Sequence, residues 1–278
     1  MTSPVPTTPL LLAGVDFSCN PSKRKPVTVA LGHLLGPVLK LQRLENFNTL
    51  DGFSTWLATP GPWLGAFDFP FGLPRAFVEA NSLGRSCEEL IGNVRTRCPT
   101  RMQWRSFIDT WGNTQPAGQR LLHRRTDTAL HGLSSTSPLQ TRYVPVGFMY
   151  YEGVARLIDA GVTLPQMHAG DPVRVAVEAY PGLLAHELIG RRSYKNKDEP
   201  ERLIARKEMM DALEQGRSTR LGLRLRLTHA QRDHVIDDAS GDRLDAVLCL
   251  MQAAWAGARA GHGLPEGIDP IEGWIVSA

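Results

Sequence analysis

Five acids stand where a folded chain could use them together: Asp16, Asp68, Glu178, Asp242 and Asp245. Asp16 closes the apolar run LLLAGV, Asp68 closes WLGAF, and Glu178 lies near the end of PVRVAVEAY. Each of these three therefore falls near the carboxyl end of a strand-like stretch, outside which ligands collect in open α/β sheets. Asp242 and Asp245 are one turn apart at the start of the last helical pattern. Converging carboxylates repel one another unless divalent cations sit among them, and hard oxygen donors point to Mg²⁺ or Mn²⁺. Such ions orient an attacking water and stabilise a leaving oxygen in phosphodiester cleavage. Every acid also has a plainer use. Asp16 and Asp68 suit turns, Glu178 suits an edge position on the alternate face, and acids in a first turn complement the helix dipole.

These positions require a sheet and a crossing helix. Residues 10–15 are apolar except for Gly14, as in a central strand covered on both faces. Residues 27–35 and 38–44, parted by Gly36-Pro37, read as a hairpin. A short helix is expected over 49–59, with Leu50, Phe53, Trp56 and Leu57 on one face. A fourth strand follows from Trp63 and stops near Phe69, because Pro70 lacks the amide a ladder needs. Helical patterns occupy 75–90, 146–161 and 199–214, and 172–180 alternates as a fifth strand. The final helix carries Leu244, Val247, Leu248, Met251 and Trp255 toward the core and ends by Gly261. Residues 217–232 are ambiguous between helix and strand.

The chain has 278 residues, 42% of them apolar, enough for a sizeable core. Residues 10–278 are expected to form a single domain behind an irregular tail at 1–9, with an insertion at about 92–145. No apolar run approaches the roughly 20 residues of a spanning helix, and MTSPVPTTP lacks the basic start of a secretory signal, so a cytoplasmic, membrane-free protein is expected. Cys19, Cys87, Cys98 and Cys249 are too scattered for a zinc site or disulfide framework. The net charge of +3 permits an anionic partner. The insertion shows little periodicity but holds Arg95, Arg97, Arg101, Arg105, Arg120, His123, Arg124 and Arg125. Interleaved with Trp104, Phe107 and Trp111, these suggest a surface for phosphates and stacked bases. Lys195 and Lys197, on the turn RRSYKNK, are further phosphate candidates.

The motifs AGVDFS, FDFPFGLP, VEAYP, GDRLDA and EGWI, with the Lys/Arg helix before GDRLDA, resemble the family called domain of unknown function 429 from about Leu11 to Trp274. That family is regarded as predicted nucleases of ribonuclease H-like fold. The resemblance implies metal-binding acids at Asp16, Asp68 and Asp245. It matches Glu178 to the acid before a Tyr-Pro pair and likens Asp242 to the paired acids on the last helix of related junction resolvases. HRRTD, residues 123–127, is similar to another family motif and draws Arg124 and Arg125 toward function. Phe69 and Phe71 depart from the family pattern, which has a small residue and a leucine there, and so alter the expected pocket.

Three antiparallel strands followed by alternating helices and strands is the ribonuclease H-like order, in which the first and fourth strands lie side by side and parallel. The expectation is a metal-dependent nuclease acting on DNA or RNA, with ions on Asp16, Asp68 and Asp245. Asp242 or Glu178 would complete coordination or activate water, and Arg124, Arg125, Lys195 and Lys197 would meet phosphate. A phosphotransferase of the actin-like and sugar-kinase type is one alternative, although it needs a duplicated core that is not visible. A non-catalytic nucleic-acid-binding module of the same fold is the other. Serine or cysteine hydrolase chemistry finds no G-x-S-x-G elbow and no basic setting for a cysteine.

Overall fold

The computed structural model describes residues 10–129 and 132–278; the expected tail at 1–9 lies outside the described residues. The chain begins with β1 (Leu11–Asp16), β2 (Val27–Leu35) and β3 (Val38–Phe47), paired antiparallel in that order. After α1 (Leu50–Leu57), β4 (Trp63–Phe67) lies parallel to β1 with Phe67 opposite Val15. Asp16 and Asp68 consequently leave adjacent strands at the same end, and the Asp68 amide donates to the Val15 carbonyl at 2.9 Å.

Four helices come next: α2 (Arg75–Ala80), α3 (Cys87–Arg97), α4 (Arg101–Asn113) and the single turn α5 (Arg125–Thr128). The pattern expected as one helix over 75–90 is broken, with positive φ at Ser82 and Gly84 and a new start capped by Ser86. The stretch expected to be irregular after Gly92 holds α4, capped by Thr100, with Trp104 and Ile108 buried. Then follow α6 (Val146–Asp159), β5 (Val162–Thr163), β6 (Asp171–Glu178), α7 (Pro181–Ile189) and α8 (Pro200–Gln215). The ambiguous basic stretch resolves into β7 (Arg224–Arg226) and α9 (His229–Ile236), and the chain closes through α10 (Asp242–Gly257).

The seven strands form one mixed sheet in the order β5-β6-β4-β1-β2-β3-β7, parallel except for β1–β2 and β2–β3. Its two faces carry separate cores. Val15, Phe67 and Ala176 face α1 to α6, whereas Leu12, Leu64, Ala66 and Val177 face α7 to α10. Because strand side chains alternate, Asp16 and Asp68 share the second face and Glu178 the first. Helix α10 is buried nearly all round rather than on one stripe, being enclosed between the sheet and its neighbouring helices. No helix is long and apolar enough to cross a membrane among the described residues.

Candidate metal centre and adjoining cavity

Asp16, Asp68 and Asp245 each present a carboxylate oxygen to one centre, the three atoms lying within 4.8 Å of one another. Backbone approach brings them together. A Cβ on Gly14 would stand 2.0 Å from the Leu250 amide nitrogen and 2.2 Å from the Ala246 carbonyl, so only glycine lets α10 lie directly on β1. Asp16, two residues along on the same face, therefore meets Asp245 in the first turn of the helix. Gly241 enters α10 at φ +81, and a Cβ there would lie 2.5 Å from Lys195 Cβ. That glycine admits the loop bearing Tyr194 and Lys195.

The Tyr194 hydroxyl donates to Asp245 Oδ1 at 2.5 Å, and Lys195 Nζ donates to Oδ2. Asn196 N donates to Ala239 O at 2.9 Å, and buried Arg206 of α8 reaches Tyr194 O at 2.8 Å and Ile236 O at 2.6 Å, fixing this loop. Among the described residues, by contrast, no protein group donates a hydrogen bond to the Asp16 or Asp68 carboxylate. Burial pushes Asp68 up to about 7, assisted by Asp245. Burial also drives Asp16 well above the carboxylate range, with Asp245, Asp242 and Asp68 adding repulsion. Burial opposes the Lys195 charge, but Asp245, Asp68 and Asp16 outweigh it and hold the ammonium above its ordinary value. Two acids without donors beside a third that is already bonded suit a hard cation: the free oxygens need a positive partner and the protein supplies too little.

Asp242 stands at the rim, buried, with Lys25 Nζ 3.6 Å away. Burial raises its carboxyl, Lys25 opposes the rise, and Asp238 and Asp245 add to it. It is close enough to repel Asp16 but is not one of the three converging acids.

Glu178 does not join the cluster, because it points to the opposite face of the sheet. There Arg124 grips it with Nη2 at 2.6 Å and Nη1 at 2.8 Å, and the Phe71 amide donates at 2.9 Å. Nor is Arg124 free for phosphate. It is 2% exposed, and its Nη2 also donates to Asp127 Oδ1 at 2.8 Å while Nη1 reaches Glu272 O at 2.9 Å. Ser135 Oγ donates to Asp127 at 2.6 Å, and Glu272 accepts from the amides of Arg75 and Arg125, each at 2.9 Å. Arg124 thus ties FDFPFGLP, HRRTD, VEAYP and EGWI into one buried network behind the acids.

The expected nucleic-acid surface in the insertion is largely spent on folding. Trp104 is fully buried, donates to Gly147 O at 3.0 Å and packs with Phe77, Phe107 and Tyr150. Trp111 meets Phe77 edge-on. Arg95 pairs with Asp159, Arg97 holds Asn81 O at 2.7 Å, Arg101 holds Cys19 O at 2.7 Å, and Arg105 holds Thr141 O at 2.6 Å. The side chain of Arg125 is exposed, and Lys197 is exposed beside Glu199 at 3.3 Å. The four cysteines are buried and unpaired.

The acid cluster adjoins two concavities. A cavity of about 230 Å³ has Asp68 and Lys195 on one wall and Phe69, Val146, Met149 and Tyr180 among its other walls. On the Asp242 side, an open groove is bordered by Arg24, Lys25, Asn196 and Lys197. Sequence reasoning missed Lys25, Tyr194, Asp127 and Arg206. Of these, only Asp127 carried a local signal, its i,i+3 spacing from Arg124.

Over residues 14–267 the chain matches the family model described as "Protein of unknown function (DUF429)". No curated protein and no solved structure matches it.

Proposed function

The chain belongs to the DUF429 family, and from that premise we propose that it is a divalent-metal-dependent nuclease of ribonuclease H-like fold. One observation carries this reading: Asp16 and Asp68, at the carboxyl ends of two parallel strands and without a hydrogen-bond donor among the described residues, converge with Asp245 of α10 within 4.8 Å. The strand order supports the fold assignment, with antiparallel β1 to β3 and β4 returning parallel beside β1.

Asp16, Asp68 and Asp245 would hold Mg²⁺ or Mn²⁺, and Asp242 would complete the acidic wall. When bound, such an ion activates water and neutralises charge on phosphate. The chain's own residues bind and orient the substrate. Lys195 places an ammonium at the wall shared by acids and cavity, Tyr194 keeps Asp245 aimed, and Arg24, Lys25 and Lys197 line the groove for a phosphate backbone. In the reaction, water adds to phosphorus, one P–O ester bond breaks and the leaving oxygen takes up a proton. The test is Mn²⁺-dependent cleavage of labelled oligonucleotides by the wild type and its loss in Asp16→Asn.

Lys195 also favours a second reading, a nucleic-acid-binding module without catalysis, because it already offsets part of the acidic charge. That reading predicts binding to oligonucleotides with no response to metal.

A further inference from the structure

The cavity beside the acids is too small for an extended ligand and has a mixed lining. Its volume of about 230 Å³ lies below the ~300–1,000 Å³ typical of pockets for drug-sized molecules. Phe69, Val146, Met149 and Tyr180 give it apolar and aromatic walls, and the exposed Thr136 supplies a hydroxyl. Asp68 of the candidate metal centre lines another part of it together with Lys195, and the paired Arg124 and Glu178, with Ser135, add a polar floor. A group bound there is thus flat or compact, with apolar faces and a polar edge, and joined to something that engages the acids.

The rim has a second feature. Val144 borders the cavity and is 54% exposed, and the preceding Tyr143 is 100% exposed at φ +61. A non-glycine residue in the left-handed region costs free energy, and such conformations cluster at ligand clamps. A fully exposed aromatic ring is a sequence-tolerant platform for a base.

We infer that this cavity receives one unpaired nucleobase whose phosphate lies at Asp16, Asp68 and Asp245, with the next base stacking on Tyr143. The inference rests on the nuclease reading for its phosphate end. A base held in a duplex stack cannot enter such a cavity, so the substrate is single-stranded or locally unpaired nucleic acid. The strand continues past Asp242 into the groove of Arg24, Lys25 and Lys197.

Two measurements test this. In the first, adenosine 5′-monophosphate and ribose 5-phosphate are titrated, with Mg²⁺ present, into the wild type and Met149→Trp, which fills the cavity. The nucleotide should bind at least about tenfold more tightly than the sugar phosphate, the scale of one stacked base, and the advantage should vanish in Met149→Trp. In the second, Mn²⁺-dependent cleavage is compared on a single strand, its duplex, and single strands with one abasic site moved along the sequence. The single strand should be cut at least about tenfold faster than the duplex, with a comparable loss when the abasic site adjoins the scissile phosphate. Tyr143→Ala, altered only at an exposed side chain, should weaken single-strand binding even if Met149→Trp does not fold. If the strands are cleaved, equal binding of the two small probes or equal cleavage rates on all strands overturns the inference and leaves the nuclease reading standing. Preferential nucleotide binding without cleavage of any strand upholds the base cavity and overturns the nuclease reading instead.

Discussion

Lys195 reaches Asp245 from fifty residues earlier in the chain and puts its ammonium against a carboxylate that two other acids crowd. This contact makes the acidic centre tolerable to the folded protein and puts the lysine in competition with any cation entering there. Lys195→Gln should lower the melting temperature of the chelator-treated protein by about 2–4 °C, equivalent to about 1 kcal/mol for a partly exposed, solvent-screened pair. The same variant should show a larger Mn²⁺-induced rise than wild type. A thermal melt with and without Mn²⁺ reads both effects.

Asp68 gives the centre a pH dependence. Its carboxyl is raised from 3.8 to about 7 by burial first and then by Asp245. A raised carboxyl keeps its proton longer in the native state, so its contribution to stability is complete below about pH 4 and is lost as pH rises through about 7. In chelator, Asp68→Asn should therefore gain stability over wild type as pH climbs from about 4 to about 7, by at most about 1.4 kcal/mol per pH unit, and hold that advantage above pH 7. Metal affinity of the wild type should run the other way, weakening as protons compete below about pH 7. Denaturant unfolding across that range supplies the first curve and Mn²⁺ titration the second.

Much of the centre could be read from sequence because Asp16 and Asp68 each end an apolar run, and GDRLDA opens a helix whose side chains must be buried. The faces were harder. Glu178 ends its strand just as Asp68 follows β4, yet it is placed one step out of alternation, opposite Phe67 rather than beside Asp68, and so meets Arg124. The Trp, Phe and Arg mixture of α4 is equally consistent with a base-stacking surface and with an amphipathic helix. Only its packing on Phe77 and Tyr150 decides between them. Lys195 could not be assigned to Asp245 because the contact depends on Gly241 admitting a distant loop.

Arg124 is the keystone of the network behind the cavity, and its loss leaves Glu178 and Asp127 buried without their cation. Arg124→Met should cost about 3–5 kcal/mol in urea unfolding. Arg124→Lys should recover little of this, because an ammonium cannot reproduce the forked contacts to both carboxylates.

Gly14 sets the distance between β1 and α10. Gly14→Ala drives a methyl group into the backbone of Leu250 and Ala246 and should destabilise the fold by about 3 kcal/mol or more. Any soluble fraction should bind Mn²⁺ more weakly than wild type, since displacement of α10 carries Asp245 away from Asp16. Circular dichroism melts followed by Mn²⁺ titration measure both consequences.

Asp16, Asp68 and Asp245 are proposed to form a working metal centre. Its most direct measurement is calorimetric titration of Mn²⁺ into wild type and Asp16→Asn/Asp68→Asn, with cleavage of labelled single strands followed in the same samples. Saturable binding and cleavage in wild type, both abolished in the double variant while its fold persists, is the predicted result. Wild-type protein that binds no Mn²⁺, or a double variant that still cleaves, would contradict it.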